Sequence, residues 1–126
     1  MVLAPLAGYS DLAYRRICRE LGAGFAATEM MLDRTVLAGR TGCKRLPRSH
    51  ADDRPLAGQL VGSDPDEMAA AAARLDALGF DVIDLNFACP VKKVLRRERG
   101  GRLLQRPGRA VDILRAVLAA TDRPVT

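Results

Sequence analysis

The sequence predicts an α/β protein built on a parallel sheet, because short apolar segments alternate with segments of helical periodicity along its 126 residues. About four strand–helix units are present, followed by the start of a fifth strand. Two architectures fit this alternation: an open doubly wound sheet, or part of a (β/α)8 barrel. A complete barrel needs about 250 residues, so the chain corresponds to roughly half of one.

The first two strands are predicted at residues 2–7 and 24–30, on either side of a helix at residues 11–21. Ser10 is the candidate N-cap of this helix. Helical spacing gives one apolar stripe that we expect to face the core, formed by Tyr14, Ile17, Cys18 and Leu21. Residues 32–53 are less regular, and we expect a short helix followed by a loop.

The clearest helix start is Asp64-Pro65-Asp66-Glu67, which follows a strand predicted at residues 55–61. An N-cap acid, a proline at the first helical position and a glutamate two residues further on form a capping-box arrangement. The apolar face of this helix is expected to comprise Met68, Ala71, Ala72, Leu75 and Leu78. A fourth strand is predicted at residues 81–86.

The last third of the chain begins with a basic loop at residues 87–106, in which a helical turn can form. Pro107 then opens a final helix. Its inward face is expected to comprise Ala110, Ile113, Leu114, Val117 and Leu118. Residues 124–126 have the character of a fifth strand.

The positive charge is concentrated in one part of the chain, which we call the basic segment (residues 92–109). It holds eight Lys and Arg residues and one acid, a net +7, whereas the whole chain carries +5 and the remainder therefore −2. A single basic segment on a nearly neutral body indicates a surface that faces a polyanion.

Several classes of protein are disfavoured by the same composition. No run of 18 apolar residues is present, so we expect no membrane span, and no signal peptide is apparent at the start. Cys18, Cys43 and Cys89 form no CxxC pair and His50 is the single histidine, so we expect no metal site and a reducing, cytoplasmic location. Cys18 is expected in the core, Cys43 as an incidental exposed thiol and His50 in solvent.

Polar residues follow the predicted strands at the edge where parallel α/β proteins place their sites. Gln59 lies near the end of the third strand, and Asn86 and Cys89 follow the fourth. Asp84 and Asn86 share one face of their strand because side chains alternate. This set is either a functional site or a satisfied buried network of hydrogen bonds.

The ordered motifs of the chain resemble those of the tRNA-dihydrouridine synthases, in particular their bacterial branch. They are Ala4-Pro5-Leu6-Ala7-Gly8, Gly58-Gln59-Leu60, Asp84-Leu85-Asn86-Phe87-Ala88-Cys89-Pro90 and Gly100-Gly101-Arg102-Leu103-Leu104. The resemblance covers essentially the whole chain. Leu6 and Ala88 stand where the family usually has Met and Gly, and Ala88 disfavours a positive φ.

The resemblance implies an FMN enzyme on a (β/α)8 TIM barrel that reduces the C5=C6 bond of uridine in tRNA, with NADPH as reductant. Pro5, Leu6 and Ala7 would lie against the flavin ring, Gln59 would bind its pyrimidine edge, and Asn86 would hold the uracil. Cys89 would be the general acid, since a free thiol is mostly protonated at neutral pH. The alternative interpretation of Cys89 is a small buried hydrophobe.

The basic segment would then contact tRNA phosphates beside the catalytic mouth, through Lys92, Lys93, Arg96 and Arg97. Its other interpretation is a solvated loop. By the same resemblance, residues 1–126 would be the amino-terminal half of the catalytic barrel, without the C-terminal helical tRNA-binding domain. Because a half-barrel exposes two unpaired strand edges, it should bind flavin weakly or not at all. Two other functions remain open at this point: another FMN barrel acting on a small molecule, such as a dihydroorotate dehydrogenase-like or ene-reductase-like enzyme, or an inactive remnant.

Overall fold

The fold is a layer of parallel strands with helices packed against it, and a computed structural model describes residues 1–41, 44–45 and 50–126. The strands are β1 (Val2–Leu3), β2 (Phe25–Ala27), β3 (Met31–Leu32), β4 (Arg40–Thr41), β5 (Lys44–Arg45), β6 (Leu56–Val61) and β7 (Val82–Leu85). The helices are α1 (Leu12–Glu20), α2 (Asp33–Leu37), α3 (Pro65–Ala77), α4 (Lys92–Leu95) and α5 (Pro107–Ala120), with a 3₁₀ helix at Gly100–Gln105.

The strands of the main sheet lie side by side in the order in which they occur along the chain. β1 pairs with β2, β2 and β3 pair with successive halves of β6, and β6 pairs with β7, all in parallel. Val125 continues the series through a parallel bridge to Ile83. A doubly wound sheet reverses its strand order at a switch point, whereas a barrel does not. The predicted α/β class is confirmed, and the strand order is that of a partial (β/α)8 barrel.

The core lies between the central strand and the two long helices. All six residues of β6 are buried. The predicted inner face of α3 is confirmed for Met68, Ala71, Ala72 and Leu75, which are fully buried, while Leu78 caps the helix and is half-buried against the same core. On α5, Ile113 and Val117 are buried, but Leu114 and Leu118 remain exposed. The prediction was wrong for these two leucines because α5 packs against α3 and the 3₁₀ helix along one narrow stripe only.

The predicted start of α3 is confirmed, with one difference. Asp64 Oδ1 accepts hydrogen bonds from the backbone N–H groups of Asp66 and Glu67, at 3.0 and 3.1 Å. The Glu67 carboxylate does not complete a capping box, because it accepts instead from Arg34 Nε at 2.8 Å. This bond ties α3 to α2.

Helix α1 differs from the prediction in its cap and in its buried face. Asp11 is the N-cap and accepts from the Tyr14 N–H at 2.9 Å, whereas Ser10 is buried and donates its hydroxyl to the Leu6 carbonyl. The buried residue of the helix is Arg15, whose Nε donates to Asp53 Oδ2 at 2.8 Å. Of the apolar stripe, Cys18 is half-buried and the other three residues are exposed: Tyr14, Ile17 and Leu21. Apolar periodicity could not locate this face because a buried ion pair occupies it.

The irregular stretch after β3 contains the expected short helix, α2. It continues as an antiparallel pair of strands, β4 and β5, where a loop was expected. The expectation for Cys43 lies outside the described residues, and His50 is exposed as predicted. Among the described residues, no helix is both long and apolar enough to cross a membrane.

Candidate active site

Three polar side chains predicted at the strand ends are brought together at the carboxyl edge of the sheet. Gln59 on β6 and Asp84 on β7 are direct partners in the strand register, and Gln59 Nε2 donates to Asp84 Oδ2 at 2.6 Å. Asn86 Nδ2 donates to Gln59 Oε1 at 3.0 Å. Thr126 adds a hydroxyl that donates to Asp84 Oδ1 at 2.8 Å. Of the two interpretations left open by the sequence, the structure shows the hydrogen-bonded network, and the functional role of the same residues stays a prediction.

Asn86 also holds the loop that carries Cys89, which we call the cysteine loop (residues 86–91). Its Oδ1 accepts from the backbone N–H groups of Cys89 at 2.9 Å and of Ala88 at 3.2 Å. These two bonds hold the loop against the Asn86 side chain, directly after the end of β7, and so fix the backbone position of the half-buried Cys89. The structure thus connects Gln59, Asn86 and Cys89, which the sequence analysis had assigned to separate roles.

A glycine pair supports the same loop from the other side, and the sequence analysis assigned it no structural role. Gly101 N–H donates to the Cys89 carbonyl at 3.1 Å. Gly100 has φ +57°, and a Cβ at this position would lie 2.8 Å from the Cys89 carbonyl oxygen. Only glycine fits this conformation and this approach without strain. Adjacent glycines after a charged turn are the signal that could have identified it.

The turn after β1 carries the residues that the resemblance assigns to the flavin ring. Leu6 is 51% exposed, Ala7 is exposed and Pro5 is half-buried. The buried Ser10 hydroxyl closes the turn by bonding both backbone groups of Leu6. In the described part of the chain, no hydrogen bond connects this turn with Gln59 or Cys89. The turn therefore contributes a small apolar surface at the same edge of the sheet.

The basic segment divides into two groups of four residues. Arg99 pairs with Asp33, Arg102 and Arg106 pair with Glu98, and Arg109 pairs with Asp64. The other four cations are exposed and form no ion pair with any described residue: Lys92, Lys93, Arg96 and Arg97. We call these four the α4 basic face. They are the residues that the sequence analysis assigned to tRNA.

The Asp33–Arg99 pair fixes the basic segment to the body of the protein, and no sequence pattern indicates it. Asp33 is fully buried at the start of α2, and Arg99 Nη2 lies 3.7 Å from Asp33 Oδ1. Burial raises the pKa of Asp33, while the Arg34 N–H and Arg99 oppose that rise. Arg99 is thus part of the scaffold, and it directly precedes the glycine pair that supports Cys89.

A cleft of about 440 Å³ lies beside the cysteine loop, between that loop, α4 and the 3₁₀ helix. It is lined by Ala88, Pro90, Leu95, Arg96, Glu98, Gly101, Arg102 and Gln105. Its wall includes Arg96 of the α4 basic face. The described residues contain no group of three or more His, Cys, Asp or Glu side chains that could hold a metal ion.

Comparison with known proteins gives one consistent family. The family described as dihydrouridine synthase (Dus) matches residues 2–126. The chain is 43% identical to tRNA-dihydrouridine synthase B of Yersinia pestis and 42% identical to that of Serratia marcescens, in each case over its whole length. It spans 39% and 38% of the length of these two relatives. From the match over residues 2–126, the chain belongs to the dihydrouridine synthase family.

Proposed function

We propose that this chain is the amino-terminal half of the catalytic barrel of a tRNA-dihydrouridine synthase, which reduces the C5=C6 bond of uridine in tRNA. The observation that carries the proposal is the placement of Cys89 at the carboxyl edge of the sheet, held by Asn86 Oδ1 and by the Gly101 N–H. The curated relatives with matching sequence are named for this activity. Because the proposed substrate is tRNA, we place the reaction in the cytoplasm.

The cofactor we propose is FMN, with NADPH as the reductant that recharges it. The residues at the sheet edge fit a flavin: Leu6 and Ala7 present apolar surface for an aromatic ring, and the Gln59 amide can both donate and accept toward a pyrimidine edge. When bound, the flavin supplies the hydride for the reduction. Pro5 gives the turn after β1 a fixed φ, which keeps that surface in place.

Cys89 is the general acid in this proposal. The hydride adds to C6 of the uracil and the Cys89 Sγ–H gives its proton to C5, so the ring gains two hydrogens and the double bond becomes single. A thiol can serve this step because its S–H group is a proton donor. Asn86 contributes by holding the loop of Cys89, and its amide lies next to the same edge for contact with the uracil.

The α4 basic face is our proposed contact with the tRNA backbone. These cations have no carboxylate partner among the described residues, so phosphates can bind them without first breaking an ion pair. The basic segment begins three residues after Cys89, so phosphate binding there holds the tRNA backbone close to the catalytic edge. This matters because a base must leave its stack to reach such a site.

Substitution of Cys89 tests the assignment in the full-length protein. Cys89→Ala should lower the rate of dihydrouridine formation by about 10²–10⁴-fold, the usual contribution of a positioned general acid. Flavin binding, measured from the visible absorption spectrum, should be unchanged. The rate is measured by mass spectrometry of tRNA nucleosides.

Cys18→Ala is the matched control, because Cys18 is a half-buried thiol on α1 that forms no part of the network at the sheet edge. This variant should keep wild-type activity. Wild-type activity of Cys89→Ala would show that Cys89 is not the acid. A full-length enzyme that reduces a small molecule but not tRNA uridine would contradict the proposed substrate.

A further inference from the structure

Four hydrogen bonds at the sheet edge form a chain that runs in one direction. The Ala88 and Cys89 N–H groups donate to Asn86 Oδ1, Asn86 Nδ2 donates to Gln59 Oε1, and Gln59 Nε2 donates to Asp84 Oδ2. The chain starts in backbone groups that can only donate. It ends in a carboxylate, which can only accept.

This direction fixes both side-chain amides. If the Gln59 amide were turned over, its oxygen would face the Asp84 carboxylate and its NH₂ group would face the Asn86 NH₂ group. Two acceptors would then face each other at Asp84 and two donors at Asn86, so both hydrogen bonds of the Gln59 amide would be lost. The loss is costly because Gln59 is only 8% exposed. Asp84 at one end and the two loop N–H groups at the other therefore hold both amides in this orientation, and Asp84 is the end that lies outside the cysteine loop.

We propose that Asp84 is a positioning residue for Cys89, acting as the acceptor that terminates this one-way chain of hydrogen bonds. The significance of that position for catalysis rests on the proposed function, in which Cys89 is the acid. Asp84 is tied in place by the register with Gln59 and by the Thr126 hydroxyl. Among the described residues, its side chain forms hydrogen bonds with Gln59 and Thr126 and none with the cysteine loop, so its effect passes through the two amides.

The first test measures hydrogen exchange of individual backbone amides in the full chain, without tRNA or flavin. Asp84→Ala should speed exchange of the Ala88 and Cys89 amides several-fold, because Gln59 loses its acceptor and then holds the Asn86 amide less firmly. Amides of the β6–β7 ladder should exchange at the wild-type rate. Asp112→Ala is the matched control, since Asp112 is exposed on α5 and forms no ion pair with a described residue.

Equal acceleration across the whole sheet would show a merely structural role and would overturn the proposal, as would unchanged exchange at Ala88 and Cys89. These outcomes are independent of the reaction. A protein that loses activity in Cys89→Ala but shows no change here retains the proposed function and refutes the role of Asp84. Wild-type activity in Cys89→Ala together with faster exchange of the two loop amides in Asp84→Ala would refute the proposed acid and support the positioning role of Asp84.

The second test reverses the direction of the chain. Asn86→Asp alone places a carboxylate on each side of Gln59, so the Gln59 oxygen faces an acceptor whichever way the amide turns. Combining it with Asp84→Asn restores every bond: the amide introduced at position 84 donates to Gln59, and the carboxylate introduced at position 86 accepts from Gln59 and from the loop. The double variant should recover most of the melting temperature that Asn86→Asp removes.

A further double variant separates direction from charge. Asp84→Ala combined with Asn86→Asp relieves the same repulsion between carboxylates but supplies no donor to Gln59, so it should melt below the Asp84→Asn and Asn86→Asp combination. Equal melting temperatures for the two double variants, or effects that simply add, would overturn the proposal. If Asn86→Asp alone is too unstable to fold, recovery of a folded protein on adding Asp84→Asn would support it.

Discussion

At the scale of single residues, the cysteine loop depends on groups that approach it from two sides. Asn86 binds its N–H groups, and the glycine pair packs on its carbonyl side, where the Gly101 N–H donates to Cys89. A side chain at Gly100 would meet both the carbonyl oxygen and the Cβ of Cys89, at 2.8 and 3.0 Å. Close packing of backbone against backbone leaves little room for relaxation, so the loop geometry is sensitive to the addition of one methyl group.

Gly100→Ala should therefore destabilise the protein by at least about 1 kcal/mol, the typical cost of a positive φ at a residue with a Cβ. It should also change the rate at which Cys89 reacts with iodoacetamide. Gly108→Ala is the control: this glycine lies in α5 with no atom within 4 Å of an added Cβ, and the change should stabilise by about 0.5–1 kcal/mol. Urea denaturation measures both, and equal effects would refute the strain at Gly100.

At the scale of secondary-structure elements, α3 is connected to the chain just beyond α5 by two hydrogen bonds to one carboxylate. Asp76 on α3 accepts from the Thr121 hydroxyl at 2.6 Å and from Arg123 Nε at 2.8 Å, just beyond the end of α5. These bonds lower the pKa of Asp76, first through Thr121 and then through Arg123. Thr121 and Arg123 also lie just before Val125, which forms the parallel bridge to Ile83.

Asp76→Asn should lower the melting temperature at pH 7 by a few degrees, because the amide replaces the charged acceptor. A pKa lowered by folding stabilises the protein above the ordinary carboxyl pKa, and this contribution is lost as the pH falls through the folded-state pKa. The difference between wild type and variant should thus shrink below about pH 4. Thermal melts from pH 3 to 8 measure it, with Asp112→Asn as the control; a difference independent of pH would contradict the assignment.

At the scale of the whole molecule, the charge of the basic segment acts in two ways. Arg99 and Arg109 hold the segment to the body through Asp33 and Asp64. Arg102 and Arg106 pair with Glu98 inside the segment, and the other four cations form the α4 basic face. The four exposed cations follow Cys89 closely in the chain, since Lys92 is three residues after it. A net +7 therefore corresponds to a smaller set of cations available to a polyanion.

Neutralising part of this face should weaken tRNA binding by the full-length protein and reduce its dependence on salt. The slope of log K against log salt is negative, and Lys92→Gln combined with Arg96→Gln should make it shallower by about 0.9 for each phosphate that the variant no longer neutralises. Arg74→Gln with Arg115→Gln removes the same charge from exposed positions on α3 and α5, and its slope should be that of wild type. Filter binding at several salt concentrations measures the slopes; the same slope for both double variants would contradict a localised phosphate-binding face.

The sequence by itself determined the α/β class, the start of α3 and the strand ends that carry Gln59, Asp84, Asn86 and Cys89. These features are local: a cap and its first turn lie within four residues, and alternation along one strand decides which side chains share a face. The same local information indicated a basic segment next to Cys89. Resemblance to a family then supplied the chemistry.

Only the tertiary structure decided which charges are buried and which are available. Arg15 pairs with Asp53 and Arg99 with Asp33, partners separated by 38 and 66 positions, so no periodicity along the chain could show them. The same holds for the orientation of the Gln59 amide on β6, which is set by Asp84 and Asn86 from the neighbouring β7 and the loop after it. Burial of a charge depends on the partner that packing brings to it, and packing is a property of the whole fold.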